Sequence, residues 1–71
     1  MKIISDILPF FLLELKGFYD DTEIKSLAYI SIEHILKMSK SDTLINGYIT
    51  IEESKIPEIR STVVFLKKYK P

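Results

Sequence analysis

Asp20-Asp21-Thr22-Glu23-Ile24-Lys25-Ser26-Leu27-Ala28-Tyr29-Ile30-Ser31-Ile32-Glu33-His34-Ile35-Leu36-Lys37-Met38 is the longest uninterrupted periodic stretch of the chain, and it reads as a helix. Asp20 stands where an N-cap belongs, and Glu23, three residues on, completes the pattern of a capping box. Ile24, Leu27, Ala28, Ser31, Ile35 and Met38 recur at spacings of three and four and form the predicted inner stripe. Ile30, Ile32 and Leu36 widen the apolar arc beyond that of a surface helix, which makes this helix the central one.

Working outward, the segment before it carries Ile4, Ile7, Leu8, Phe11, Leu15 and Phe18 on one stripe, with Ser5 or Asp6 as cap and Pro9 confined to the first turn. This first helix is expected to end at Lys16-Gly17, where glycine accepts the left-handed conformation. Beyond the central helix, Ser39 and Asp42 repeat the capping signature and predict a short third helix through Thr43, Leu44 and Ile45, closed by Asn46-Gly47. Tyr48-Ile49 is the connector. Thr50 with Glu53 offers another box, but Pro57 lies too deep for a straight continuation and predicts a kink or a restart near Ser54 to Ile56. Ile56, Ile59, Thr62, Val63, Leu66 and Tyr69 then make the inner face of a fourth helix ending in Lys67-Lys68-Tyr69-Lys70, where cations offset the partial charge of the last carbonyls. The expected fold is therefore all-α. Residues 1–71 form one helical domain, a small bundle of four antiparallel-leaning helices with the third helix short and the fourth kinked or restarted near Pro57.

Composition removes several functions. Ten Lys plus Arg balance ten Asp plus Glu, so no net field collects nucleic acid or an acidic membrane surface. The absence of cysteine rules out disulfides and thiolate metal sites and fits a cytoplasmic protein. The apolar run Ile7-Leu8-Pro9-Phe10-Phe11-Leu12-Leu13 is bracketed by Asp6 and Glu14, too short for a span of about 20 residues and without a cleavage site. A helix-turn-helix reader built on the third helix has only Lys37 and Lys40 for phosphates.

Catalytic chemistry is equally hard to assemble. His34, the only histidine, has no ligand or base three or four residues away and reads as structural. Asp20-Asp21 and Glu52-Glu53 stand at helix starts, where negative charge is favoured for structural reasons. Two glycines and one histidine supply no phosphate loop, triad or cofactor fingerprint. Ser39-Lys40-Ser41-Asp42 lacks the Asp-Ser-Leu order of acyl carrier proteins, and the chain lacks their acidity. No catalytic, metal or cofactor-binding residue is therefore assigned. The residues left over are apolar ones off the core stripe: Ile3, Phe10 and Leu13 beside the first helix's main face, and Val64 and Phe65 on the fourth. They are the candidate contact surface for a second domain or a partner.

Phe11-x-x-Glu14-Leu15, Tyr19-Asp20-x-x-Glu23, Leu27-x-x-x-Ser31-Ile32-Glu33-His34-Ile35-Leu36-x-Met38-Ser39-Lys40 and Leu66-Lys67-Lys68-Tyr69-Lys70-Pro71, taken in order, resemble the N-terminal helical domain of the HemK/PrmC protein-(glutamine-N5) methyltransferases. The resemblance spans essentially the whole chain, through helix-pattern residues rather than catalytic ones. Lys40 departs from it, standing where many relatives carry arginine, with a different donor geometry. In that family a Pro-x-Gln-Tyr-type segment follows the last helix and leads to the catalytic domain, so Pro71 is expected to sit at a boundary within a longer protein. The resemblance implies a parent enzyme that uses S-adenosylmethionine to methylate the glutamine of the Gly-Gly-Gln motif in peptide-chain release factors. The cofactor glycines and the Asn-Pro-Pro-Tyr motif of that enzyme's catalytic domain are not in this sequence. Its helical domain is implied to recognise and orient the release factor, so the implied partners are the release factor and the enzyme's own catalytic domain. The alternative is a free-standing helical interaction module, a homodimer that hides Phe10, Leu13 and Phe65.

Overall fold

A computed structural model of the chain describes residues 1–69 and contains four helices: α1 (Ile7–Leu15), α2 (Asp21–Leu36), α3 (Lys40–Ile45) and α4 (Ile56–Lys68). Short 3-10 turns, Ile4–Asp6 and Glu53–Lys55, lead into α1 and α4. Among the described residues pairing outside the helices is limited to isolated bridges, so the all-α bundle expected from the periodicity is the fold adopted. Lys70 and Pro71, predicted as the basic end of the fourth helix and the stop after it, lie outside the described residues.

Local capping rules set most of the boundaries. Asp20 accepts from the Glu23 amide at 2.8 Å, satisfying one of the free donors at the start of α2. Ser39 and Asp42 form the full reciprocal box: Asp42 N–H donates to Ser39 Oγ at 3.1 Å, and Ser39 N–H to the Asp42 carboxylate at 3.3 Å. Gly17 follows α1 at φ 90°, and the Phe18 and Tyr19 amides both donate to the Leu15 carbonyl there. Pro57 sits in the first turn of α4, where its missing N–H costs no hydrogen bond, and the helix restarts at Ile56 rather than kinking.

Several expectations need correction. The central helix stops at Leu36, not Met38, because Lys37 turns left-handed at φ 59°. The Ser39 box demands an extended Ser39, which leaves Lys37 and Met38 to make the turn, and Met38 folds back against the core. The Thr50–Glu53 box does not form. Thr50 instead bridges Ile3, while Ile4 N–H donates to the Ile49 carbonyl, Ile51 N–H to the Lys2 carbonyl and Ser5 N–H to the Gly47 carbonyl, each at 2.9 Å. Gly47 closes α3 without a positive φ; its use is close approach, since a Cβ there would lie 3.1 Å from that of Ser5. The connector is thus tied to the N-terminus, which drives Ile51 into the core.

The core unites Ile4, Ile7, Phe11 and Leu15, then Ile24, Ala28, Ile32 and Ile35, then Ile51, Ile59 and Val63. The inner face of α2 is rotated from the predicted stripe: Ile32 is buried, Leu27 and Ser31 are half-buried, and Ile30 is 64% exposed. Phe18 (39% exposed) and Tyr69 (58%) leave the core because each lies past the last residue of its helix. The α1–α4 pair also departs from the antiparallel expectation. Ile3 meets Thr50, Phe10 meets Arg60, Glu14 meets Lys67 and Tyr19 meets Leu66, so these helices run the same way. Residues 40–51 take a pass of their own and return the chain to the end where it began.

Candidate functional site

The acidic pairs and the histidine do not converge. Asp20 is engaged as a cap, Glu52 accepts the Ser54 hydroxyl at 2.9 Å, and His34 is exposed on α2. Among the described residues no group of three or more His, Asp or Glu side chains is placed to hold a metal ion, and no helix is long and apolar enough to cross a membrane. The Asp6 carboxyl is held below its ordinary range by the Ile3 and Lys2 amides that donate to it at 2.9 and 2.8 Å. It organises the first turn.

The candidate contact residues separate into three places. Phe10 and Leu13 of α1 and Val64 of α4 border the α1/α4 seam. Phe10 is half-buried, packed edge-on against Phe11 and covered by the Arg60 guanidinium 5.6 Å from its ring centre. Leu13 is 74% exposed and Val64 63% exposed. Val64 lies four residues after Arg60 and three before Lys67, on the stripe that faces α1. The seam is locked by the Lys67–Glu14 ion pair at 2.8 Å and by Tyr19, whose hydroxyl donates to the Leu66 carbonyl at 2.8 Å. Phe65, 58% exposed, is turned about 100° from Val64 and stacks on Tyr69 with ring centres 4.7 Å apart. Ile3 is not free surface: it is half-buried in its bridge to Thr50. By helical register Leu13 and Val64 thus share the side of Phe10, while Ile3 and Phe65 lie elsewhere.

Two further surfaces escaped the periodicity. Leu44, Ile45, Tyr48 and Ile49 are all exposed, a dense apolar edge on α3 and its connector. A helix of six residues seats one side chain inward, here Thr43, whose hydroxyl donates to the Ser39 carbonyl at 2.9 Å; the adjacent Leu44 and Ile45 are left outside. The signal was present in the shortness of the helix. The second surface is a groove on the outer face of α2, lined by Leu8, Ser26, Tyr29, Ile30 and the lysines at 25 and 40. Nothing in the sequence pairs Lys25 with Lys40, since they come from different helices.

What the described residues define is a small all-α bundle. No family model, no curated protein and no solved structure matches the chain.

Proposed function

We propose that this chain is the N-terminal docking domain of an S-adenosylmethionine-dependent protein-(glutamine-N5) methyltransferase of the HemK/PrmC kind, working in the cytoplasm. It holds a peptide-chain release factor so that the glutamine of its Gly-Gly-Gln motif reaches a catalytic domain that lies outside this sequence and carries the cofactor. The observation that supports this reading is where the family-like residues fall. Glu14 of the first motif pairs with Lys67 of the last, Tyr19 of the second bonds the backbone of Leu66, Asp20 caps α2 and Ser39 caps α3. Two of these contacts, Glu14 with Lys67 and Tyr19 with Leu66, join separate stretches that carry the resemblance and hold α1 to α4.

The test is methylation of a release factor by the full-length enzyme with and without residues 1–69. Loss of docking raises KM for the release factor, while turnover of a short Gly-Gly-Gln peptide stays near its original rate. Unchanged KM and unchanged release-factor affinity would remove the docking role. The free-standing homodimer draws support from the exposure of Leu13 and Val64, but Phe65 stacks with Tyr69 on a different side and Phe10 is already half-covered. Sedimentation that reports a monomer at high concentration sets that alternative aside.

A further inference from the structure

A groove of about 670 Å³ crosses the outer face of α2 between α1 and α3. Leu8 and Ile30 give it apolar lining, and Tyr29, Thr22, Ser26, Lys25 and Lys40 complete it. A smaller cavity of about 140 Å³ shares Leu8 and Tyr29 and continues the apolar lining to Leu44 of α3. Both charged residues of the groove are cations, in a chain whose total charge is zero. Of the other described lysines, Lys55 meets Glu58 at 3.5 Å and Lys67 meets Glu14 at 2.8 Å, while Lys2, Lys16, Lys37 and Lys68 stand apart from the described carboxylates without lining this groove. Neither groove lysine lies within 4.0 Å of a carboxylate among the described residues. Lys40 is positioned instead by Tyr29, its ammonium 5.1 Å from the ring centre. Asp42, held by the Ser39 amide, makes no ion pair with it. Asp21 and Glu33, the α2 carboxylates nearest in register, lie outside the lining at either end, about 18 Å apart along the helix axis. They bracket the length over which an acidic occupant is welcome.

We propose that this groove binds a short acidic segment of a partner protein, with leucine-like side chains on Leu8 and Ile30 and carboxylates on Lys25 and Lys40. The proposal rests on the reading of the chain as a docking domain, but not on which protein is docked. Apolar contact supplies the grip, and the two cations select acidic over basic partners.

The test titrates the isotope-labelled 71-residue chain with a helix-forming peptide of about twelve residues that carries leucines on one face and glutamates beside them. The expected result is saturable shifts at the amides of Lys25, Ser26, Ile30 and Lys40. Affinity falls at least about tenfold in the Lys25→Glu/Lys40→Glu variant and by a smaller factor in Lys25→Gln/Lys40→Gln, which serves if charge reversal disturbs the fold. Equal binding of a counterpart with lysine in place of every glutamate would overturn the proposal. So would shifts confined to the α1/α4 seam, the absence of saturable binding, or equally tight engagement of the same residues by phosphatidylglycerol vesicles. The two readings fail separately. Methylation that requires residues 1–69 yet tolerates Lys25→Glu/Lys40→Glu in the full-length enzyme refutes the groove and leaves docking intact, whereas peptide binding here with methylation indifferent to the domain does the reverse.

Discussion

Along the α1/α4 seam the polar groups consume one another: Glu14 meets Lys67, Tyr19 meets the Leu66 carbonyl, and Arg60 covers Phe10. Across the α2/α3 face Lys25 and Lys40 meet no carboxylate, and the apolar groups between them stay open. Both regions expose large apolar side chains, so exposure alone does not separate them. The difference is what surrounds those side chains. On the seam the neighbouring charges are engaged in holding two parallel helices together, and Leu13 and Val64 flank a structural joint. On the α2/α3 face Lys40 lies over the Tyr29 ring but neither lysine meets a carboxylate among the described residues, so both charges can discriminate between partners.

The largest effect is expected beneath both regions. Phe11 is fully buried, and Phe11→Ala is predicted to cost about 3–5 kcal/mol. A chain this small has little reserve, so the variant loses its helical circular dichroism at moderate temperature and both surfaces vanish together. Survival of the groove's ligand binding in that variant would show that the two regions do not share one core. Next, Tyr19→Phe removes a single hydrogen bond from the seam. A loss of about 1 kcal/mol in urea unfolding is expected, with the groove unaffected. A stability unchanged by that substitution would mean that this hydrogen bond adds nothing net to the seam.

Acidification loosens the opposite end of α1, where the chain enters the helix. The folded Asp6 carboxyl titrates below its ordinary range because the Ile3 and Lys2 amides stabilise the charged form. Its contribution is complete above the unfolded value, about pH 4, and is lost as pH falls through the lower folded value. Asp6→Asn is therefore less stable than the parent chain at neutral pH, and the gap closes on acidification. Thermal melts across that range check it, and a gap that persists in acid contradicts the role of Asp6. The smallest change is predicted for Lys25→Ala/Lys40→Ala, whose unfolding free energy stays within about 0.5 kcal/mol of the parent. A larger loss would make the groove lysines structural and dissolve the contrast with the seam.

What could be read from the residues in advance divides along the same line. Asp20, Ser39 with Asp42, and Gly17 act through backbone groups within a turn of themselves, so their caps were legible without knowledge of the fold. The fourth helix restarted at Ile56 for a reason confined to Pro57. The pairing of Ile3 with Thr50 was not legible. The β-branched run Ile49-Thr50-Ile51 is too short to announce a strand, and its partner lies at the other end of the chain. The inner face of α2 was ambiguous because Ile30, Ile32, Ile35 and Leu36 cover most of its circumference, and only the placement of α1 and α4 decides that Ile32 is buried and Ile30 is not. Leu13 and Val64 could be recognised as outward-facing from helical register alone. Ile3 and Phe10 could not, since each is covered by a residue distant in sequence, Thr50 and Arg60. Lys25 and Lys40 come to one groove only because α3 packs against α2, which no pattern in the sequence announces.

The most direct test of the docking role and of the face that serves it is an amide-shift titration of this chain with an intact peptide-chain release factor. The predicted result is saturable binding with shifts centred on Lys25, Ser26, Ile30 and Lys40. No saturable binding, or shifts confined to Leu13, Val64 and their neighbours along the seam, would contradict it.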